Sequence, residues 1–436
     1  MKTKTKISVV ITVVITLFIT TALSVNETSE VEQIVEVSRE KGCVFMTTFG
    51  EQPSEGYAQF KLKENIQPVV DDGLSWLAEA QLENGGYGAG SHSRQGEMNP
   101  HAVNADPATT SMVAMALLRS GSTLKKGEYK EQLKKSLEFL LKQVENLSTD
   151  DVFITSERGT QIQSKLGDNI DAVLTAQFFS NLLKEKLDNK TKKRIKKCLD
   201  ICVEKIQNAT GKDGKMKGAG WAGVLQSGLA TSALESAGSV GATLDEAVVR
   251  SQKQYLKDNY DEDSNSVKTT DGAGVILYSV SNSARGSAKD ARRAKELIAK
   301  AKKEGKLKED DTVTVENLQD IGVPESEAIG YVSSYNIYNA SKTQAQRDDV
   351  ISGFGNNGGE EFLSFLQTGE SMVVNDDDDW KKWYDNVSGR LMKIQNEDGS
   401  WNGHHCITSP VFCTATSLLI LSIENDIENL KQTGQD

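Results

Sequence analysis

The chain is short of several things, and each shortage excludes something. Five cysteines in 436 residues are too sparse for a disulfide scaffold. Basic residues are outnumbered by acidic ones, for a formal net charge of −12. Phosphate repels such a chain, which makes it a poor candidate for nucleic-acid binding. After residue 24 no apolar run is long enough to span a membrane. No run keeps the alternation of a strand. There is no glycine-rich phosphate loop followed by Lys-Ser/Thr, and no H-E-x-x-H. Histidine is scarce too, with four in the chain.

What remains is a globular balance, 37% hydrophobic and 26% charged with six prolines. The N-terminus stands apart. MKTKTK supplies three lysines, ISVVITVVITLFITTALSV follows without a charge, and Ala22 and Ser24 are small. This order predicts a secretory signal over 1–24; an uncleaved anchor is the alternative, and the chain's one route to a membrane. Either way the rest is expected to be exported, to a periplasm, a surface or the medium. Residues 25–61 read as an acidic, irregular leader that holds Cys43.

From 62 to 430 the pattern is helical. Helices are predicted at about 66–82, 107–120, 129–147, 168–186, 190–209, 220–238, 243–257, 271–284, 288–303, 326–341, 379–396 and 409–425, pairing as six hairpins. Gly121, Gly211, Gly238 and Gly286 are candidate stops. Stretches near 304–325 and 342–378 read as irregular insertions. Some segments are lysine-rich with one apolar face, such as KTKKRIKKCLDICVEKIQN. Others, such as GWAGVLQSGLATSALESAG, are small and weakly charged. Charged helices outside and small-residue helices inside suit a two-layer ring. Cys198 and Cys202 lie one helical turn apart, in register to be buried together. Trp76, Trp221, Trp380, Trp383 and Trp401 read as packing plates, and Tyr331, Tyr335 and Tyr338 as one core face.

Each hairpin carries a glycine-rich or polar connection between its two helices. One contains Gln395, Gly399 and Trp401, in the pattern Q-x-x-x-G-x-W; Gln81, Gly85 and Tyr87 repeat it with tyrosine in the tryptophan place. These residues resemble the repeats of the prenyltransferase and squalene-oxidase family, and the GHHCITSP ending resembles that of exported bacterial members without an assigned reaction. The resemblance implies an all-α fold, an α/α toroid of about six helical hairpins, and a structural role for Gln395, Gly399 and Trp401. It does not carry over cyclase chemistry. The four aspartates Asp376–Asp379 precede Trp380-Lys381-Lys382 rather than the family's Thr-Ala helix, and read as a helix N-cap. Thioester domains share the toroid, but Cys43 and Gln52 are too separated to form that bond.

All four histidines, His92, His101, His404 and His405, lie in the first and last connections. Ring closure would bring one of each pair within about 10 Å, near enough to share a metal. Asp106, Cys406 and Cys413 lie beside them in sequence. His101, His404, His405 and Cys406 are the candidate metal ligands, with zinc the metal such a set suits. The same residues could instead form a metal-free acid–base site, or be structural, with Cys406 and Cys413 joined in a disulfide. Three functions follow. The first is a toroid that binds a small molecule or a protein at its concave end. The second is a metal-assisted enzyme at the histidine rim. The third is a carbohydrate-active enzyme, which needs two facing carboxylates.

Overall fold

The computed structural model describes residues 65–433 except 262, 265, 352 and 354–357, all within a compact unit spanning 44–436. The expected signal, the leader and Cys43 lie outside the described residues. The fold is all-α. In chain order the helices are α1 (Gln67–Glu79), α2 (Pro107–Arg119), α3 (Lys130–Val144), α4 (Gln161–Leu166), α5 (Ile170–Leu183), α6 (Asn189–Ala209), α7 (Gly223–Ser239) and α8 (Glu246–Asp258), then α9 (Ile276–Lys303), α10 (Val315–Asp320), α11 (Glu325–Ala345), α12 (Asp348–Ile351), α13 (Gly359–Val374), α14 (Trp380–Lys393), α15 (Pro410–Leu421) and α16 (Ile427–Thr433). Strands β1 (Tyr260–Asp261) and β2 (Ser266–Val267) form one short antiparallel pair.

Two helix types alternate, for the reason the composition gave. On α6, Ile195, Cys198, Leu199, Cys202, Val203 and Ile206 are buried, a single stripe at 3–4-residue spacing with lysines on the remaining surface. Cys198 and Cys202 are free thiols there, as expected. By contrast α2 is buried without a break from Pro107 to Leu117. Its start is fixed by Asp106, which accepts from Thr109 N at 2.7 Å, and by Pro107 in the first turn.

The small-residue helices, α9 by its first half, touch in a closed circuit. α2 packs on α5, α5 on α7, α7 on α9, α9 on α13, α13 on α15, and α15 back on α2. A striped helix lies outside each: α3 on α2, α6 on α5, α8 on α7, α11 on α9, α14 on α13, and α1 on α15. The first outer helix therefore packs on the last inner one.

Three expectations need correction. The helices placed on either side of Gly286 are one, α9. Gly286 is not a stop but a close approach, since a Cβ there would lie 2.7 Å from the Leu256 Cβ. The supposed insertion at 342–378 holds α13, the fifth inner helix; its buried small residues and paired glutamates mask an amphipathic period. Of the other glycine stops, Gly121 holds at φ +98°, whereas α7 runs through Gly238 to a left-handed Gly241, and α6 ends on Thr210 rather than at Gly211.

The repeat motif is a stitch between hairpins. Gln395 donates to Gly399 O at 2.9 Å within its own turn and to Val69 O at 2.8 Å on α1. Gln81 donates to Gly85 O at 3.0 Å and to Gln132 O at 2.9 Å on α3. Gly399, at φ +89°, sits so close to α1 that a Cβ would lie 2.7 Å from Asp72 O; Gly85 meets Lys135 O on α3 at the same 2.7 Å. Trp401 and Tyr87 are fully buried, and their amides donate to Thr414 Oγ1 and Thr110 Oγ1 at 2.8 and 2.9 Å. A third copy has drifted out of recognition: Thr210, Gly214 and Met216 hold the same register, with Gly214 against Ser251 O of α8. Each turn grips the next outer helix. For the last turn that helix is α1, so residues 326 apart in sequence close the circuit.

The remaining plates differ. Trp383 and Tyr338 are buried as expected, but Trp221 is 60% exposed. Asp379 makes no side-chain cap on α14. Instead Asp377 accepts from Asp379 N at 2.9 Å and from Tyr338 Oη and Lys342 Nζ, each at 2.8 Å.

Candidate functional site

The inner helices run parallel, so their N-terminal ends gather the connections at one rim. Segment 402–409 is held there by three side chains from other repeats. Gln95 donates to Cys406 O at 2.8 Å and meets His92 Nδ1 at 2.8 Å. Gln161 Oε1 accepts from Thr408 N at 2.7 Å, and Glu360 Oε2 from Ile407 N at 3.2 Å. First and last connections are thus joined, and His92 lies no farther from Cys406 O than those two Gln95 contacts laid end to end.

The shared histidine site does not follow. Among the described residues, no three His, Cys, Asp or Glu side chains converge on one point. His101 and His404 are exposed and His405 is half-buried. His101, His404, His405 and Cys406 are thus not gathered into a group of three or more metal-holding side chains among the described residues. Asp106 does not face the rim either. It is fully buried and accepts from Ala89 N at 2.9 Å as well as from Thr109. Asp171 supports the same helix start, accepting from Ala108 N at 3.0 Å. Burial raises both carboxyls above the ordinary range, and the charge of Asp171 raises Asp106 further.

Cys406 and Cys413 are free thiols rather than a disulfide. Cys406 has a left-handed backbone, φ +65°, and Lys165 lies near enough to favour its thiolate. Cys413, on α15, donates to Ile407 O at 3.6 Å. Burial, then the Glu360 charge, pushes the Cys406 thiol up to about 12, so it is not a ready thiolate. Burial lowers His405 and His92, with Lys165 acting in the same direction on each.

Sequence reasoning missed Lys165, Gln95, Gln161 and Glu360. They lie in the first connection, on the short helix α4 and in the first turn of α13, and match no local motif. Glu360 and Glu361 are both fully enclosed. Glu361 accepts from Gly358 N at 2.7 Å and from Tyr278 Oη at 2.5 Å. These acids face protein donors, not a cleft, so they do not form the facing pair that a glycosidase needs. Burial and the Glu361 charge push Glu360 up to about 8. Its folded form then keeps a proton that the unfolded form releases. The resulting stability is full below the ordinary value of 4.5 and is lost as pH rises through about 8. We expect stability to fall by on the order of 2 kcal/mol between pH 5 and 8, and Glu360→Gln to flatten that slope. Urea melts at the two pH values check this; an unaltered slope in the variant contradicts it.

The other end of the inner helices is different in kind. Met112 and Met115 of α2, Leu174, Gln177 and Asn181 of α5, Leu229, Ser232 and Ser236 of α7, Arg285 of α9, Leu366 and Glu370 of α13 and Leu419 of α15 line one pocket. Their 3–4-residue spacing marks the face each inner helix turns inward. This cavity, the throat, measures about 50 Å³; an adjoining outer chamber of about 400 Å³ between α2, α5 and the C-terminal segment shares its walls at Met115, Arg119, Asn181, Lys184, Asp426 and Asn429. The outer volume falls within the span of small-molecule sites; the throat is far below it. Arg119 joins the walls. It donates to Glu370 Oε1 at 2.6 Å, Asp426 Oδ2 at 3.1 Å and Leu419 O at 3.0 Å. α16 packs across this end on α13 and α7.

No family model matches the chain, and neither does any curated protein or solved structure. Among the described residues, no helix is long and apolar enough to cross a membrane.

Proposed function

We propose that the chain is an exported α/α toroid, with repeats of the prenyltransferase and squalene-oxidase kind, that binds a small polar ligand where its inner helices end. One observation carries the reading: every inner helix contributes to a single pocket whose buried walls keep unused polarity. Arg285 and Gln367 both line it, and Arg285 Nη1 and Gln367 Oε1 are buried without a hydrogen-bond partner. Buried polar groups ordinarily have partners, so a ligand that drew these two side chains toward the cavity would gain by satisfying them. The closed circuit of inner helices supports the toroid, and the lysine, apolar and small-residue order of 1–24 supports export. The narrow throat argues against a polyprenyl substrate.

Methyl NMR on methionine-labelled protein tests the pocket. A panel of small polar fragments should shift Met112 and Met115, which line it, and leave Met392 unmoved. Shifts at Met392 with Met112 and Met115 unchanged would overturn the reading.

A further inference from the structure

Of the charges lining the throat, all but one are paired, while in the outer chamber Lys126 and the exposed Glu185 also have no ion pair among the described residues. Arg119 holds Glu370 and Asp426 at 2.6 and 2.9 Å. Arg285 and Lys253 share Glu235, at 2.6 and 2.9 Å. Lys184 lines both the throat and the outer chamber, yet among the described residues no carboxylate stands at ion-pairing distance from its ammonium. Burial lowers its pKa, and Arg119 lowers it further against the pull of Asp426. Lys184 caps α5, whose terminal carbonyls favour a cation. That accounts for a lysine at the helix end but supplies no counter-ion.

Beyond Lys184 the walls turn apolar, through Met112, Met115, Leu174, Leu229, Leu366 and Leu419. Farther in stands the unmatched Arg285 Nη1. We infer that the pocket takes a small organic anion. Its oxyanion head, a carboxylate or a phosphate, pairs with Lys184, and a short apolar body points into the throat. This rests on the pocket being a ligand site, and it adds the class of ligand. An oxyanion is favoured because it supplies the missing counter-charge and accepts several N–H bonds at once. A cation in the throat is disfavoured, since it would face Lys184 with the carboxylates there, Glu370 and Asp426, already held by Arg119. The throat of about 50 Å³ limits the body to a few carbons.

Calorimetric titration with hexanoate, hexyl phosphate and the neutral hexanamide tests the inference, on the native chain, Lys184→Gln, Lys184→Arg and Ser232→Trp. At least one anion should bind the native chain about tenfold more tightly than hexanamide. Lys184→Gln should remove that preference and Lys184→Arg should keep it. Preference for hexanoate alone assigns a carboxylate ligand, and for hexyl phosphate alone a phosphate one. Equal binding of hexanamide, or anion binding that survives Lys184→Gln, overturns the anion class and leaves the pocket standing. Binding that is the same in Ser232→Trp, whose indole would fill the throat, overturns the pocket itself. If none of the three binds while neutral polar fragments still shift Met112 and Met115, the anion class alone falls.

Discussion

Replacing Trp401 by alanine should lower the stability of the unit by about 3–5 kcal/mol, the range for a buried aromatic truncated in a core. The indole is fully buried, and its Nε1 donates to Leu391 O at 2.9 Å. Loss of the ring opens a cavity beside Gly73, where a Cβ would lie 3.0 Å from the Trp401 ring, and takes from Leu391 O one of its two donors, the other being Ile394 N. The effect should spread because this turn grips α1 and so joins the two ends of the chain. Trp401→Phe keeps the plate and loses the N–H, so it should cost clearly less. Equilibrium urea unfolding reads both. Equal melts for native chain and Trp401→Ala would mean that the last repeat does not close the circuit.

Arg119→Met should be comparably damaging, about 3–5 kcal/mol. The guanidinium is almost wholly buried and holds Glu370 on α13 together with Asp426 on the C-terminal segment. Methionine matches much of its length but leaves two part-buried carboxylates without their cation. Adding Glu370→Gln and Asp426→Asn should recover a large part of the loss, because the penalty lies in the abandoned charges. If the triple variant is no more stable than Arg119→Met, the cause is lost packing rather than charge.

Much of the fold could be read in the sequence because its two helix types differ in composition. Lysine-rich stripes such as that of α6 mark surface helices, and runs such as PATTSMVAMALLR mark enclosed ones. Where enclosed helices carry charge or glycine, the reading failed. Glu360 and Glu361 made α13 look polar, and Gly286 looked like a stop in α9 although it marks a close approach to Leu256. The joining of first and last connections was legible, through the paired Gln395 and Gln81 turns. The direction of the histidine side chains was not, because it depends on a left-handed residue, Cys406, and on long-range partners such as Gln95. The pocket was invisible for a similar reason: its residues are spread over seven helices, and no local spacing links Lys184 to Arg285.

The central claim is that the enclosed ends of the inner helices form a ligand site. Comparing fragment binding to the native chain and to Ser232→Trp tests it most directly, because Ser232 lines the throat and lies far in sequence from every rim residue. The account predicts that fragments shifting Met112 and Met115 lose at least about tenfold in affinity in the variant, while its urea melt stays cooperative. Undiminished affinity in a folded Ser232→Trp chain would contradict it.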